Sequence, residues 1–154
     1  MRVRLPSKDR LLEAFAGSAQ VQHPVLQAAS ELGHLHRRRQ TADLRELAEI
    51  DHAREDLVHA VDRWVSAHMP QPFGAAYMNC ESVGMVLDRF ARYYIEARTA
   101  LDQGSNEPNR HFLWQRLAEL ATAYTDLAIE ISGGMRRLPS FTYPAPQHDS
   151  RDQG

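Results

Sequence analysis

Glu81-Ser82-Val83-Gly84-Met85-Val86-Leu87-Asp88-Arg89-Phe90-Ala91 decides the fold class of this chain. Val83, Leu87, Phe90, Ala91, Tyr94 and Leu101 recur every three or four residues, the period of a helix with one apolar face. Glu81 and Asp88 are seven residues apart, close to two turns, so on one helix they project from the same side. Gly84 lies on that side too and costs a helix interior about 1 kcal/mol relative to Ala. A glycine kept beside two acids implies that something comes close, either another helix or a ligand.

Outward from this stretch, four further segments carry the helical period. The first begins after Pro6, with Ser7 as N-cap, and ends at Gly17-Ser18. The second starts near Pro24, runs to about Arg39 and aligns Val25, Ala28, Ala29, Leu32 and Leu35. Thr41 caps the third, which aligns Leu47, Ile50, Leu57, Val61 and Trp64 and reaches about His68. Pro70-Gln71-Pro72-Phe73-Gly74 then makes a loop. Asn79 or Cys80 opens the helix of the quoted stretch, which extends to about Gln103; Pro108 begins the fifth, which ends at Gly133-Gly134. No stretch reads as a strand. The pattern predicts an all-α fold, an antiparallel helical bundle of four long helices plus a short N-terminal helix packed across one end or against a second subunit. The bundle is expected over 1–134, followed by an extended or disordered C-terminal tail over 135–154.

A length of 154 residues fits one domain able to bury a core without staples. The hydrophobic fraction of 43% and charged fraction of 25% are those of a globular protein, and a net charge of -2 gives no argument for nucleic acid or an anionic membrane. Arg37-Arg38-Arg39, the one basic run, falls at a helix C-terminus, where it complements the dipole. Cys80 is the sole cysteine, so an intramolecular disulfide is impossible and a cytoplasmic location is expected. No segment approaches the roughly 20 apolar residues of a membrane span, and the first residues lack the apolar run of a signal peptide. Lys8 is the single lysine among 18 Lys and Arg residues, which argues against Schiff-base chemistry. Phosphate-cradling glycine loops and nucleophile elbows are absent from the sequence, and the residues imply no cofactor.

The informative residues are charges that fall on apolar stripes. Arg54 sits among Ile50, Leu57 and Val61; His36 follows Leu32 and Leu35; Arg98 aligns with Leu87, Tyr94 and Leu101. Glu81 and Asp88 flank the same stripe, with Arg92 one turn beyond Asp88. An unpaired buried charge costs several kcal/mol, so inward arginines are expected to find Asp51, Glu81 and Asp88. One reading is an ion-pair network that fixes helix register. The other is a pocket in which Arg54, Arg92 and Arg98 bind an anionic substrate while Glu81, Asp88 and His36 move protons. Glu49-x-x-His52 and Asp56-x-x-His59 resemble metal-ligand pairs, but both lie on one helix, whereas di-iron bundles need such pairs on two; no metal site is expected.

Leu5-Pro6-Ser7-Lys8, His23-Pro24-Val25-Leu26, Glu31-Leu32 to Leu35-His36, and above all Glu81-x-x-Gly84-x-x-x-Asp88-Arg89 occur in an order that resembles a helical family of actinobacterial proteins of unknown function, DUF4254. Cys80 stands where threonine is usual in that family and Phe90 where leucine is usual. The resemblance implies an α-helical domain and no assigned chemistry. Leu44-Arg45, Asp51, Arg54 and Leu57-Val58 are also loosely similar to the first helix of the helical chorismate mutases, which implies charge-based preorganisation as a type of mechanism. The expectation is therefore a homodimer that binds a small organic ligand. As an enzyme it is expected to be a cofactor-independent isomerase, cyclase or lyase acting on an anionic organic substrate in a biosynthetic pathway; the alternative is a non-catalytic accessory bundle that recruits a partner.

Overall fold

The computed structural model describes residues 3–18 and 22–140. Five helices carry the fold: α1 (Lys8–Phe15), α2 (Pro24–Arg39), α3 (Leu44–His68), α4 (Val83–Asp102) and α5 (Glu107–Ser132). The all-α reading holds. Two dipeptides, β1 (Tyr77–Met78) and β2 (Arg136–Arg137), pair in parallel with Tyr77 opposite Arg136, a feature that a two-residue apolar pattern cannot announce.

Each helix begins where a side-chain oxygen or nitrogen reaches a free N–H of the first turn. Ser7 caps α1, and His23 caps α2 through Nδ1, which accepts from the Val25 N–H at 3.1 Å. Asp43, rather than Thr41, caps α3 at 2.9 Å from the Glu46 nitrogen; Thr41 lies too early to reach that turn. Ser82, rather than Asn79 or Cys80, caps α4 at 3.2 Å from the Met85 nitrogen, and Asn106 caps α5. Glu81 therefore precedes the helix instead of riding on it.

The helices α2, α3 and α4 pack against one another, and α1 lies across α2, α4 and α5. Among the described residues the α5 backbone runs beside α4, α1 and β2 and not beside α2 or α3, yet buried side chains of all five helices join one hydrophobic core. α4 is the centre of the molecule: Leu87, Phe90 and Ala91 are fully buried. Phe15 meets Phe90 edge-on at 5.1 Å between centroids, and Phe90 stacks on Tyr124 of α5 at 6.0 Å. The Tyr124 hydroxyl donates to the Pro6 carbonyl at 2.6 Å, which ties the N-terminal segment to α5; burial pushes this phenol far above its ordinary pKa.

Two glycines set the helix spacing. A Cβ on Gly33 of α2 would stand 2.5 Å from the Phe15 carbonyl oxygen, and one on Gly84 would stand 2.3 Å from that of Val58. Gly84 thus makes room for the α3 backbone, which settles the choice between helix and ligand posed by the sequence. From Met135 the chain stays against the fold as far as Ser140, with Leu138 half-buried on the core; the rest of the expected tail, 141–154, lies outside the described residues.

Candidate functional site

The last turn of α2, the middle of α3 and the second turn of α4 bring together four of the charged residues singled out in the sequence as stripe charges or their expected partners. His36, 4% exposed, donates from Nε2 to Asp88 Oδ1 at 2.8 Å; an ionised carboxylate only accepts, so this nitrogen carries the proton. Arg54 grips the same carboxylate with both prongs, Nε to Oδ1 at 3.0 Å and Nη2 to Oδ2 at 2.6 Å. Its Nη1 donates to Asp51 at 2.7 Å, and Asp51 accepts from Arg39 Nε at 2.9 Å. The result is a ladder of alternating charge, His36–Asp88–Arg54–Asp51–Arg39, that clamps three helices. Arg39 was not among the candidates, because a basic run at a helix end is explained by the dipole alone.

Burial pushes the Asp88 carboxyl up, but hydrogen bonds from His36 and Arg54 outweigh it and hold the group below the usual carboxylate range. The hydrogen bond from Arg39 chiefly lowers Asp51, and the bond to Asp88 raises Arg54. Both Asp88 oxygens are engaged. Held below the usual carboxylate range, Asp88 has no proton to give near neutrality.

Of the remaining candidates, Glu81 and Arg92 border the ladder and Arg98 lies apart from it. Glu81 pairs with Arg89, and both face a notch of about 180 Å³ shared with Arg54, Asp88 and Arg92, room for a few waters. Arg92 reaches Glu96 at 3.7 Å along α4. Arg98 does not join the cluster: its side chain is 53% exposed and pairs with Asp102 at 3.6 Å. α1 and α2 both end before they can cover it, so the apolar side of α4 opens there onto a separate cleft bordered by Ala16, Arg37 and Gln40. His52 and Asp56 stay on the solvent side of α3, 3.8 Å apart, and no group of three metal-ligating side chains occurs among the described residues.

A larger cleft, about 550 Å³, opens where the C-terminal half of α3 faces the β1–β2 pair. Its floor is apolar, with Val65, Met69, Ile131 and Leu138; its polar wall carries His59, Asp62, Arg63, Arg136 and Arg137. Arg136 is tied to Glu130 and lies over the Tyr77 ring. Arg63 and Arg137 have no carboxylate partner among the described residues. Asp62 is held by neutral donors: the Gly84 N–H reaches Oδ1 at 2.7 Å, and the Ser82 hydroxyl bonds the same carboxylate. Burial pushes its carboxyl above the usual range, and these two bonds only partly offset the shift.

Asp62 escaped sequence reasoning because the Leu57–Val61–Trp64 stripe predicts α3's buried side without saying which polar residue borders it. Gly84 was the available signal: a helix that admits a backbone that closely also brings in the side chain one turn along. The cleft itself depends on β2, thirty-odd residues beyond α4, which no local pattern locates.

Taken together, fold and clefts define an all-α protein whose central helix is clamped on one side by an ion-pair ladder and bordered at its start by a half-buried acid. The chain belongs to the family described as "Protein of unknown function (DUF4254)", whose model matches residues 34–140. The match takes in the ladder and the Asp62 cleft, and begins after Leu5–Lys8 and His23–Leu26. No curated protein and no solved structure matches the chain. No helix among the described residues is long and apolar enough to cross a membrane.

Proposed function

We propose that this protein binds a small organic anion with an apolar body in the cleft between α3 and the β1–β2 pair. The observation that supports this most directly is the pairing of an apolar floor with Arg63 and Arg137, two cations lacking carboxylate partners among the described residues. Several other described arginines also lack a carboxylate partner; Arg63 and Arg137 are the unpaired ones that line this cleft, whose third arginine, Arg136, is tied to Glu130. The size suits a ligand at the small end of the usual range for organic molecules. Chemistry in such a site would be cofactor-independent, of the isomerase, cyclase or lyase kind, with arginines balancing charge on the substrate.

Thermal unfolding in the presence of octanoate, benzoate, phenyl phosphate, inorganic phosphate and neutral benzyl alcohol tests the reading. Apolar-bodied anions are expected to raise Tm, benzyl alcohol and inorganic phosphate much less, and the rise is expected to vanish in the Arg63→Ala, Arg137→Ala double variant. Equal response to the neutral alcohol, or none to any anion, rejects the site.

A second reading, an accessory protein that works by association, draws on α5. Among the described residues that helix runs beside α1, α4 and β2 and leaves Phe112, Trp114 and Ile129 exposed. A homodimer through α5 would give a molar mass near twice 17.5 kDa by light scattering; a monomer at micromolar concentration removes this reading.

A further inference from the structure

Asp62 stands out among the described carboxylates of the molecule's interior. It borders open space, its bonds come from a backbone N–H and a hydroxyl, and no arginine or lysine touches it. The Gly84 N–H belongs to the first turn of α4, where N–H groups have no acceptor within the helix, and Ser82 is the cap of that helix. The charged and titratable groups facing the same cleft are His59 and Arg63 from α3 and Arg136 and Arg137 from β2; of these, His59 acts on Asp62 through its charge. Gly84 fixes the geometry, since a side chain there would strike both Val58 and Asp62 Oδ1.

We infer that Asp62 makes the cleft a site for carboxylate ligands that bind together with one proton, shared between Asp62 and the ligand's carboxylate. This rests on the reading of the cleft as an anion site and adds to it the ligand class and the proton. The balance is simple: one proton from solvent joins two carboxylates, forming one O–H bond and one O–H···O hydrogen bond, with no bond to carbon made or broken. Two carboxylates in contact cannot both stay ionised, so the arriving anion strengthens a tendency that burial has already given Asp62. The ligand's remaining charge falls to Arg63 and Arg137, and its apolar body lies over Val65 and Ile131.

The test is titration calorimetry with octanoate, and with octanesulfonate as an anion too weakly basic to share a proton. Runs near neutral pH in buffers of different ionisation enthalpy count the protons exchanged. The wild type is expected to take up about one proton per octanoate and to lose affinity by about tenfold per pH unit on the alkaline side. Octanesulfonate is expected to bind more weakly. Asp62→Asn keeps an acceptor for the Gly84 N–H and offers the ligand an N–H in place of the O–H. It is expected to bind octanoate with no proton uptake and a flat pH profile, while His59→Gln keeps the slope.

Octanoate that binds through Arg63 and Arg137 without proton uptake overturns the inference and leaves the anion site standing. Failure of every apolar anion to bind overturns both. Should Asp62→Asn not fold, carbon-13 titration of the Asp62 carboxyl in wild type replaces it. Saturation with octanoate is expected to raise the midpoint, and an unchanged midpoint rejects the shared proton.

Discussion

Asp62 and Asp88 sit on the two sides of the same helix contact, one on α3 and one on α4, and their environments have opposite effects. Asp88 is met by an imidazole and a two-pronged guanidinium, and its carboxyl lies below the usual range. Asp62 is met by neutral donors, and burial drives its carboxyl above that range. The same side chain is thus a permanent charge in one place and a proton carrier in the other. The difference comes from the partner's charge more than from depth, since both groups are substantially withdrawn from water. A carboxylate locked by cations fixes helix register, whereas one held by dipoles beside a cleft stays open to ligands and protons.

The sharpest way to break this comparison is to neutralise each acid without changing its shape. Asp88→Asn strands Arg54 and His36 beside an amide. The Asp88 side chain is 18% exposed, so the cost is set near the lower end of that for a broken buried pair, about 3 kcal/mol. For a chain of this length that is a fall in Tm of about 6–12 °C. A loss below about 1 kcal/mol by urea titration means that the ladder is slack and that Asp88 is free for other work. Gly84→Ala tests the contact that positions both acids. The new methyl meets the Val58 carbonyl, a backbone atom that cannot step aside, so about 2 kcal/mol of overpacking is expected. An unchanged Tm means that α3 and α4 are farther apart than described.

How far this contrast was legible in the sequence follows from what each feature needs. Amphipathic period and turn residues are local, so α1 to α5 could be read to within a few residues. The ladder was partly legible, because a charge on an apolar stripe must find a partner: His36 and Arg54 were so placed, and Asp51 and Asp88 were among the partners expected. Glu81 was misplaced by one cap: the i, i+7 argument assumes a helix, and Ser82 starts α4 only after Glu81. Arg98 was misplaced because a stripe tells which side faces neighbours and not where those neighbours stop. Asp62 and its cleft needed the β1–β2 pairing, a contact between segments almost sixty residues apart.

Acid titration separates the two aspartates by sign. Asp88 and Asp51 have lowered folded pKa values. Their contribution is therefore complete above the unfolded value, about 3.9, and is lost as pH falls through the folded values below it. Asp62 is raised, so its effect is most favourable below the unfolded value and is lost as pH rises through the folded one. Asp62→Asn is accordingly expected to be neutral or stabilising by less than about 1 kcal/mol at pH 7. Its advantage over wild type should shrink toward pH 4. A marked loss at pH 7 means that Asp62 is ionised and paired, like Asp88.

The smallest effect belongs to Arg98, which the apolar stripe of α4 places inward and which the fold leaves in water. Its pair with Asp102 joins two exposed side chains on consecutive turns, and such pairs contribute about 0.3–0.5 kcal/mol. Arg98→Ala is therefore expected to shift Tm by no more than about 2 °C, with the shift shrinking further in 0.5 M salt as screening weakens the pair. The helix interior offers Ala a small gain that works against the loss. A fall comparable with that of Asp88→Asn requires Arg98 to be covered in solution by something that the described residues do not supply. The cleft beside Ala16, Arg37 and Gln40 would then be an interface, and the fall in Tm would depend on protein concentration as dissociation of subunits does.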